Sequence, residues 1–109
     1  MRPGAAETGN EMTALCGAVR ELMAKGAYPE CEARIAEAMG KHPHAPQPHN
    51  LIGILLEKTG DTRVAMKHFR AACALDPKYL PARRNAERVA SFFVHAASAF
   101  DETDCFEEQ

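Results

Sequence analysis

The stretch of residues 46–79, PQPHNLIGILLEKTGDTRVAMKHFRAACALDPKY, contains two runs of apolar residues at three- and four-residue spacing. Such spacing places apolar side chains on one face of a helix. Between the runs, Gly60 can adopt the left-handed conformation that ends a helix, and Asp61 can cap the start of the next. The pair Asp76-Pro77 then ends the second helix. The stretch predicts two helices joined by a tight turn, a unit that buries too little surface to be stable alone.

Small and large residues recur at fixed places in this hairpin. Gly53 follows the apolar Ile52, and Ala65 and Phe69 stand in an A-x3-F spacing. This pattern resembles a tetratricopeptide repeat, whose signature is W-x2-L-G-x2-Y, then A-x3-F, a later alanine and a closing proline. Leu56, Ala72 and Pro77 complete the match, and His49 departs from it at the tryptophan place. The resemblance implies that Gly53 and Ala65 lie where the helices approach closely, because a large side chain would hold the axes apart.

The pattern recurs one repeat earlier, at the 34-residue period of this family. Gly26 falls under Gly60, Ile35 falls under Phe69, and Pro43 falls under Pro77. Residues 12–45 are therefore interpreted as a first repeat, more diverged than the repeat at 46–79.

The residues after Tyr79 begin a third unit, LPARRNAERVASFFVHAASAF, that contains no turn signal. The resemblance implies a capping helix over residues 80–100. The predicted fold is all-α: a short right-handed α-solenoid of two antiparallel helical hairpins and an extended capping helix, five helices in total. The repeat domain spans residues 11–100. We expect residues 1–10 to be a disordered tail and residues 101–109 to be an acidic tail.

Composition narrows the classes of function. The chain has 109 residues, 46% of them hydrophobic, and a formal net charge of -2. It is thus one small domain, and its charge gives no case for nucleic-acid binding. No apolar run has the length of a membrane span, and the N-terminus lacks the apolar core of a signal peptide. We therefore expect a cytoplasmic protein without nucleic-acid or membrane partners.

No catalytic or metal-binding pattern is apparent. The four cysteines are widely spaced, so we expect packing residues rather than disulfides or a zinc site. His42, His44 and His49 cluster in a proline-rich connector, but no neighbouring Cys or carboxylate completes a metal site. The two serines, Ser91 and Ser98, lack the glycine-flanked elbow of a nucleophile. We expect no cofactor and no enzyme activity.

The resemblance implies recognition of another protein in a groove lined by the first helix of each repeat. The predicted peptide-binding residues are Arg20, Gln47, Asn50, Ile54, Glu57, Arg84 and Arg88. Three of these are arginines and one is a carboxylate, so the predicted ligand is an acidic segment with an apolar residue against Ile54. The acidic tail of the chain has this character and is itself a candidate occupant, in its own groove or in a neighbour's. An alternative is that the arginines form a solvated helix face.

Two further observations bear on the partner. The positions that would carry the carboxylate clamp of chaperone-binding repeats hold Cys16, Arg20, Leu51, Pro81 and Asn85, so binding of chaperone C-termini is disfavoured. The alternative function is self-association: on a capping helix that overshoots the stack, the phenylalanines would mediate a homodimer. These residues are Phe92, Phe93 and Phe100. The alternative is that their rings fold back onto the domain or remain partly exposed.

Overall fold

The computed structural model describes residues 5–91 and 97–105. Over these residues the fold consists of five α-helices and one short 3-10 helix, with no strand. The bounds are α1 (Ala5–Ala24), α2 (Tyr28–Lys41), α3 (Pro46–Lys58), α4 (Thr62–Leu75), α5 (Leu80–Ala90) and the 3-10 helix (Glu102–Cys105). The prediction of an all-α fold with five helices is confirmed.

The predicted turn residues end and start the helices as expected. Gly26 and Gly60 have positive φ angles of 75° and 98°, which side chains other than glycine rarely adopt. At the start of α4, the Asp61 carboxylate accepts a hydrogen bond of 3.3 Å from the Val64 amide. α4 ends at Leu75, just before the Asp76-Pro77 pair. Local sequence signals therefore determine both hairpin turns.

Helix α3 is central, because it contacts α1, α2, α4 and α5. The close approach predicted at Gly53 is present: a Cβ atom added there would lie 2.5 Å from Cε1 of the fully buried Phe69. Ala65 is also fully buried. The ring of Phe69 therefore occupies space that exists only because position 53 carries no side chain.

The N-terminal prediction needs correction. α1 begins at Ala5 rather than near Glu11, so residues 5–10 are helical and not part of a disordered tail. Met12, Cys16 and Val19 of this helix are buried, and contacts of this kind stabilise a helix more than propensity does. The first four residues lie outside the described part of the chain.

The predicted extension of the capping helix to Phe100 is wrong. α5 ends at Ala90, and Ser91 has an extended backbone with φ -111° and ψ -179°. The Ser91 hydroxyl donates a hydrogen bond of 3.0 Å to the Arg88 carbonyl. A continuous helix would carry Ala99 about 21 Å along the axis from Asn85. Instead, the Ala99 amide lies 2.8 Å from the Asn85 side chain, so the chain has turned back.

Candidate functional site

Helices α1, α3 and α5 lie side by side, since α1 contacts α3 and α3 contacts α5. We call the surface that they form together the three-helix face. Residues 97–105, the tail segment, lie against it and make polar contacts with a side chain of each helix: Arg20 from α1, Asn50 from α3 and Asn85 from α5. The three-helix face is therefore occupied by the chain itself.

Two asparagines hold the backbone of the tail segment. Asn50 and Asn85 are both fully buried, and the Asn85 amide donates to the Asn50 side-chain oxygen at 2.8 Å. Both amides also donate to the Ala99 carbonyl, at 3.0 and 2.8 Å. The Ala99 amide donates to the Asn85 oxygen at 2.8 Å. Because Ala99 is only 4% exposed, the asparagines bind the backbone of a residue whose small side chain is also buried.

Arg20 binds the carboxylates of the tail segment. Its guanidinium donates to both oxygens of Asp104, at 3.1 and 2.9 Å, and lies 3.2 Å from an oxygen of Asp101. The Phe100 amide donates to Asp104 at 2.8 Å. Burial opposes ionisation of Asp104, but the bonds from Arg20 and Phe100 outweigh it and lower the pKa of this carboxyl. Asp104 is thus held in its charged form, and it accepts a bidentate pair of hydrogen bonds from Arg20.

Phe100, which the self-association alternative places on a dimer surface, has partners within its own chain. Its ring is partly buried against the main hydrophobic core, a cluster that includes Ile54 and Phe69. The Arg20 guanidinium carbon lies 5.0 Å from the ring centroid, which is within the range of a cation–π contact. Phe92 and Phe93, the other residues of the predicted dimer surface, lie outside the described residues.

The end of the tail segment is a tight helical turn. The Asp101 side chain accepts a hydrogen bond of 3.0 Å from the Thr103 amide and a shorter one from the Thr103 hydroxyl. Arg84 donates to the Cys105 carbonyl at 3.1 Å. Burial raises the pKa of the Cys105 thiol, with nearby Arg84 acting in the opposite sense, so this cysteine is a packing residue. The turn brings Asp101 and Asp104 to the same side, where Arg20 reaches both.

Two predicted ligand-facing residues pair with each other instead. Arg88 donates to both oxygens of Glu57, at 2.5 and 2.7 Å, and its side chain is only 7% exposed. The prediction of three arginines that bind an acidic ligand is corrected at Arg88, because its charge is paired with Glu57. Arg88 fixes α5 against α3 and makes one long contact with the tail segment, at 3.5 Å from the Ser98 hydroxyl. Arg20 and Arg84 contact the tail segment more closely.

The remaining predicted residues, Ile54 and Gln47, lie close to the tail segment in different ways. Ile54 is fully buried in the core cluster on which Phe100 packs. Gln47 lines a cleft of about 140 Å³ together with residues of the tail segment, among them Asp101 and Glu102. Its side-chain oxygen is buried, and no described residue donates a hydrogen bond to it. The tail segment therefore leaves one acceptor of this region unused.

His49, one of the histidines of the proline-rich connector, pairs with another histidine. His49 and His68 share a hydrogen bond between their Nδ1 atoms, which are 3.1 Å apart. Burial lowers the pKa of both rings, and the charge of His49 further lowers the pKa of His68. His42 instead contacts Glu11 at 2.7 Å. Among the described residues, no three His, Cys, Asp or Glu side chains are placed to hold a metal ion.

Sequence reasoning named Asn50 but gave Asn85 no binding role. A signal was available, because Asn85 interrupts the apolar stripe of α5 between Ala82 and Val89. A polar residue on a buried helix face requires a partner. Its partners, Asn50 and the backbone of Ala99, are 35 and 14 residues away in sequence, and short-range patterns do not report such pairs.

No protein-family model, curated protein or solved structure matches the chain. Across the described residues, no helix combines the length and the apolar character needed to cross a membrane.

Proposed function

We propose that the chain is a tetratricopeptide-repeat protein. Supporting features are the glycine turns at Gly26 and Gly60, one repeat period apart, and the contact between Gly53 and Phe69. The order of helix contacts is a further support, because α1, α3 and α5 form one row. Stacked hairpins of this family place the first helix of each repeat in such a row.

The proposed activity is non-enzymatic binding of an acidic protein segment on the three-helix face, in the cytoplasm. The observation that carries this proposal is the tail segment, which already occupies the face through an arginine–carboxylate contact and through the asparagine pair. Side chains that satisfy both the N–H and the C=O of one residue are suited to a polypeptide rather than to a small molecule.

Self-association through an extended apolar C-terminal helix is the weaker alternative. α5 ends at Ala90, and Phe100 packs on the core of its own chain. These two features remove the overshooting helix on which that alternative rested.

The proposal is tested with a library of acidic peptides and fluorescence polarisation at low and high salt. The informative variant is Arg20→Glu/Arg84→Glu, which reverses the two charges that contact the tail segment and are not paired with Glu57. A matched control is Arg63→Glu/Arg70→Glu, because these two exposed residues of α4 give the same change in net charge.

We expect peptides to bind the parent and the control, to bind more weakly at high salt, and not to bind the Arg20→Glu/Arg84→Glu variant. Charge pairs that are partly exposed are screened by salt, which gives the salt dependence. Binding that survived charge reversal on the three-helix face would refute this site, and the absence of binding to any form would refute the proposed function.

A further inference from the structure

We propose that the tail segment is an internal competitor for the three-helix face, and that the partner carries the same chemistry in another protein. This inference rests on the proposed function. The partner segment would have a small residue, an aromatic residue and an aspartate in succession, followed after two residues by a second aspartate. That is the pattern of Ala99, Phe100, Asp101 and Asp104.

Each position of this pattern corresponds to a contact. The small residue fits because Ala99 is almost fully buried between the asparagines. The aromatic ring packs on the core beneath Arg20. The two carboxylates converge on Arg20 because the 3-10 turn separates them by one turn of chain.

The contacts of the tail segment favour exchange over permanent closure. The Arg20 side chain is 39% exposed, and its partners Asp101 and Asp104 are 20% and 25% exposed. Ion pairs that water reaches contribute little net stability. The unused acceptor on Gln47 means that a partner with a hydrogen-bond donor at this place can make a bond that the tail segment does not make.

Covalent attachment sets how strongly the tail segment competes. A segment on a short linker has an effective concentration of about a millimolar. A partner with an intrinsic dissociation constant of about 100 μM would then bind roughly tenfold more weakly while an equivalent internal segment competes. Release of the tail segment should therefore strengthen binding in trans without any change in the three-helix face.

The experiment compares three full-length proteins. The probe is a fluorescent peptide of residues 97–105 in which serine replaces Cys105. The releasing variant is Asp104→Lys, which places a cation against Arg20. The matched control is Glu102→Lys, since the exposed Glu102 is not one of the carboxylates that pair with Arg20, and its substitution gives the same charge change in the same turn. Circular dichroism verifies that all three proteins keep their helices.

We expect the Asp104→Lys protein to bind the peptide about tenfold more tightly than the parent and the Glu102→Lys control. Adding Arg20→Gln to the releasing variant should abolish this gain. Equal, measurable affinity in all three proteins would refute the hypothesis that the tail segment competes for the three-helix face, while leaving the proposed function intact. No binding to the releasing variant at millimolar peptide would overturn both. A parent that sediments as a dimer, and as a monomer after Asp104→Lys, would show the tail segment in a neighbour's face and overturn the internal arrangement.

Discussion

Replacement of Gly53 by alanine tests the contact between α3 and α4. The added Cβ atom would lie 2.5, 2.8 and 3.0 Å from three ring carbons of Phe69, and that ring is fully buried. Overpacking of this kind costs about 1–3 kcal/mol. Against it stands a gain of about 1 kcal/mol, because alanine is a better helix former than glycine. The net change is a destabilisation of up to about 2 kcal/mol.

A second glycine isolates the steric contribution. Gly17 lies within α1, and a Cβ atom added there would meet nothing within 4 Å. Gly17→Ala should therefore stabilise the protein by about 1 kcal/mol. The difference between the two variants cancels the propensity gain and leaves a steric cost of about 1–3 kcal/mol.

The assay is thermal and urea unfolding followed by circular dichroism. For a domain of this size each kcal/mol corresponds to about 4 °C, so Gly53→Ala should melt about 4–12 °C below Gly17→Ala. In a Phe69→Leu background the gap should shrink, because the ring that the Cβ atom meets is gone. Equal melting temperatures for the two alanine variants would refute the close approach of α3 and α4 at Gly53.

Three further predictions concern single contacts. Asp61→Ala should lower the free energy of unfolding by about 1 kcal/mol, because it removes the side-chain cap of α4, and urea unfolding measures this loss. Glu57→Gln should cost up to about 3 kcal/mol, since it leaves the buried Arg88 charge without a carboxylate; equal urea midpoints for this variant and the parent would contradict the pairing. The lowered pKa values of His49 and His68 mean that the unfolded chain binds protons more readily, so their contribution to stability is present above the unfolded value of about 6.5 and is lost as the pH falls from there towards the folded values. The melting temperature of the parent should therefore fall as the pH is lowered from 7.5 to about 5.5, and the fall should be smaller in His49→Phe/His68→Phe.

The parts of the fold that were predicted correctly depend on local chemistry. Gly60 needs no partner beyond its own turn, and Asp61 caps a helix three residues away. The contact of Gly53 with Phe69 lies within one hairpin, so a repeat signature contains both residues. Each of these features can be recognised in a window of about 34 residues.

The end of α5 depends on contacts between distant residues. Nothing in the sequence SFFVHAASAF stops a helix, since it contains neither glycine nor proline. The chain leaves α5 and binds elsewhere because Asn50, Asn85 and Arg20 offer hydrogen bonds to residues 99–104. Helix propensity is a weak preference of tenths of a kcal/mol per residue, and tertiary contacts of this number outweigh it.

Only some of the residues that contact the tail segment were predicted, again because several of these contacts join residues that are distant in sequence. Arg20, Asn50 and Arg84, which lie on α1, α3 and α5, contact the tail segment, and their binding of a partner stays a prediction. Arg88 does not remain free, because Glu57 lies one helix away at a place that a count of arginines does not reveal. The charged residues of a face therefore predict its ligand only when the ion pairs between residues of that face are known.

The asparagine pair bears on whether the tail segment can leave. Uncovering an apolar surface costs about 25 cal/mol for each Å², which disfavours exchange. When the tail segment leaves, a side-chain amide exchanges its hydrogen bond to the protein for one to water, and the net free-energy difference is only about 1 kcal/mol. Asn50 and Asn85 place such amides at the centre of the three-helix face, where leucine would have sealed the tail segment in place. With the ion pairs of Arg20 partly exposed as well, the polar contacts of the tail segment are ones that water or another polypeptide can replace.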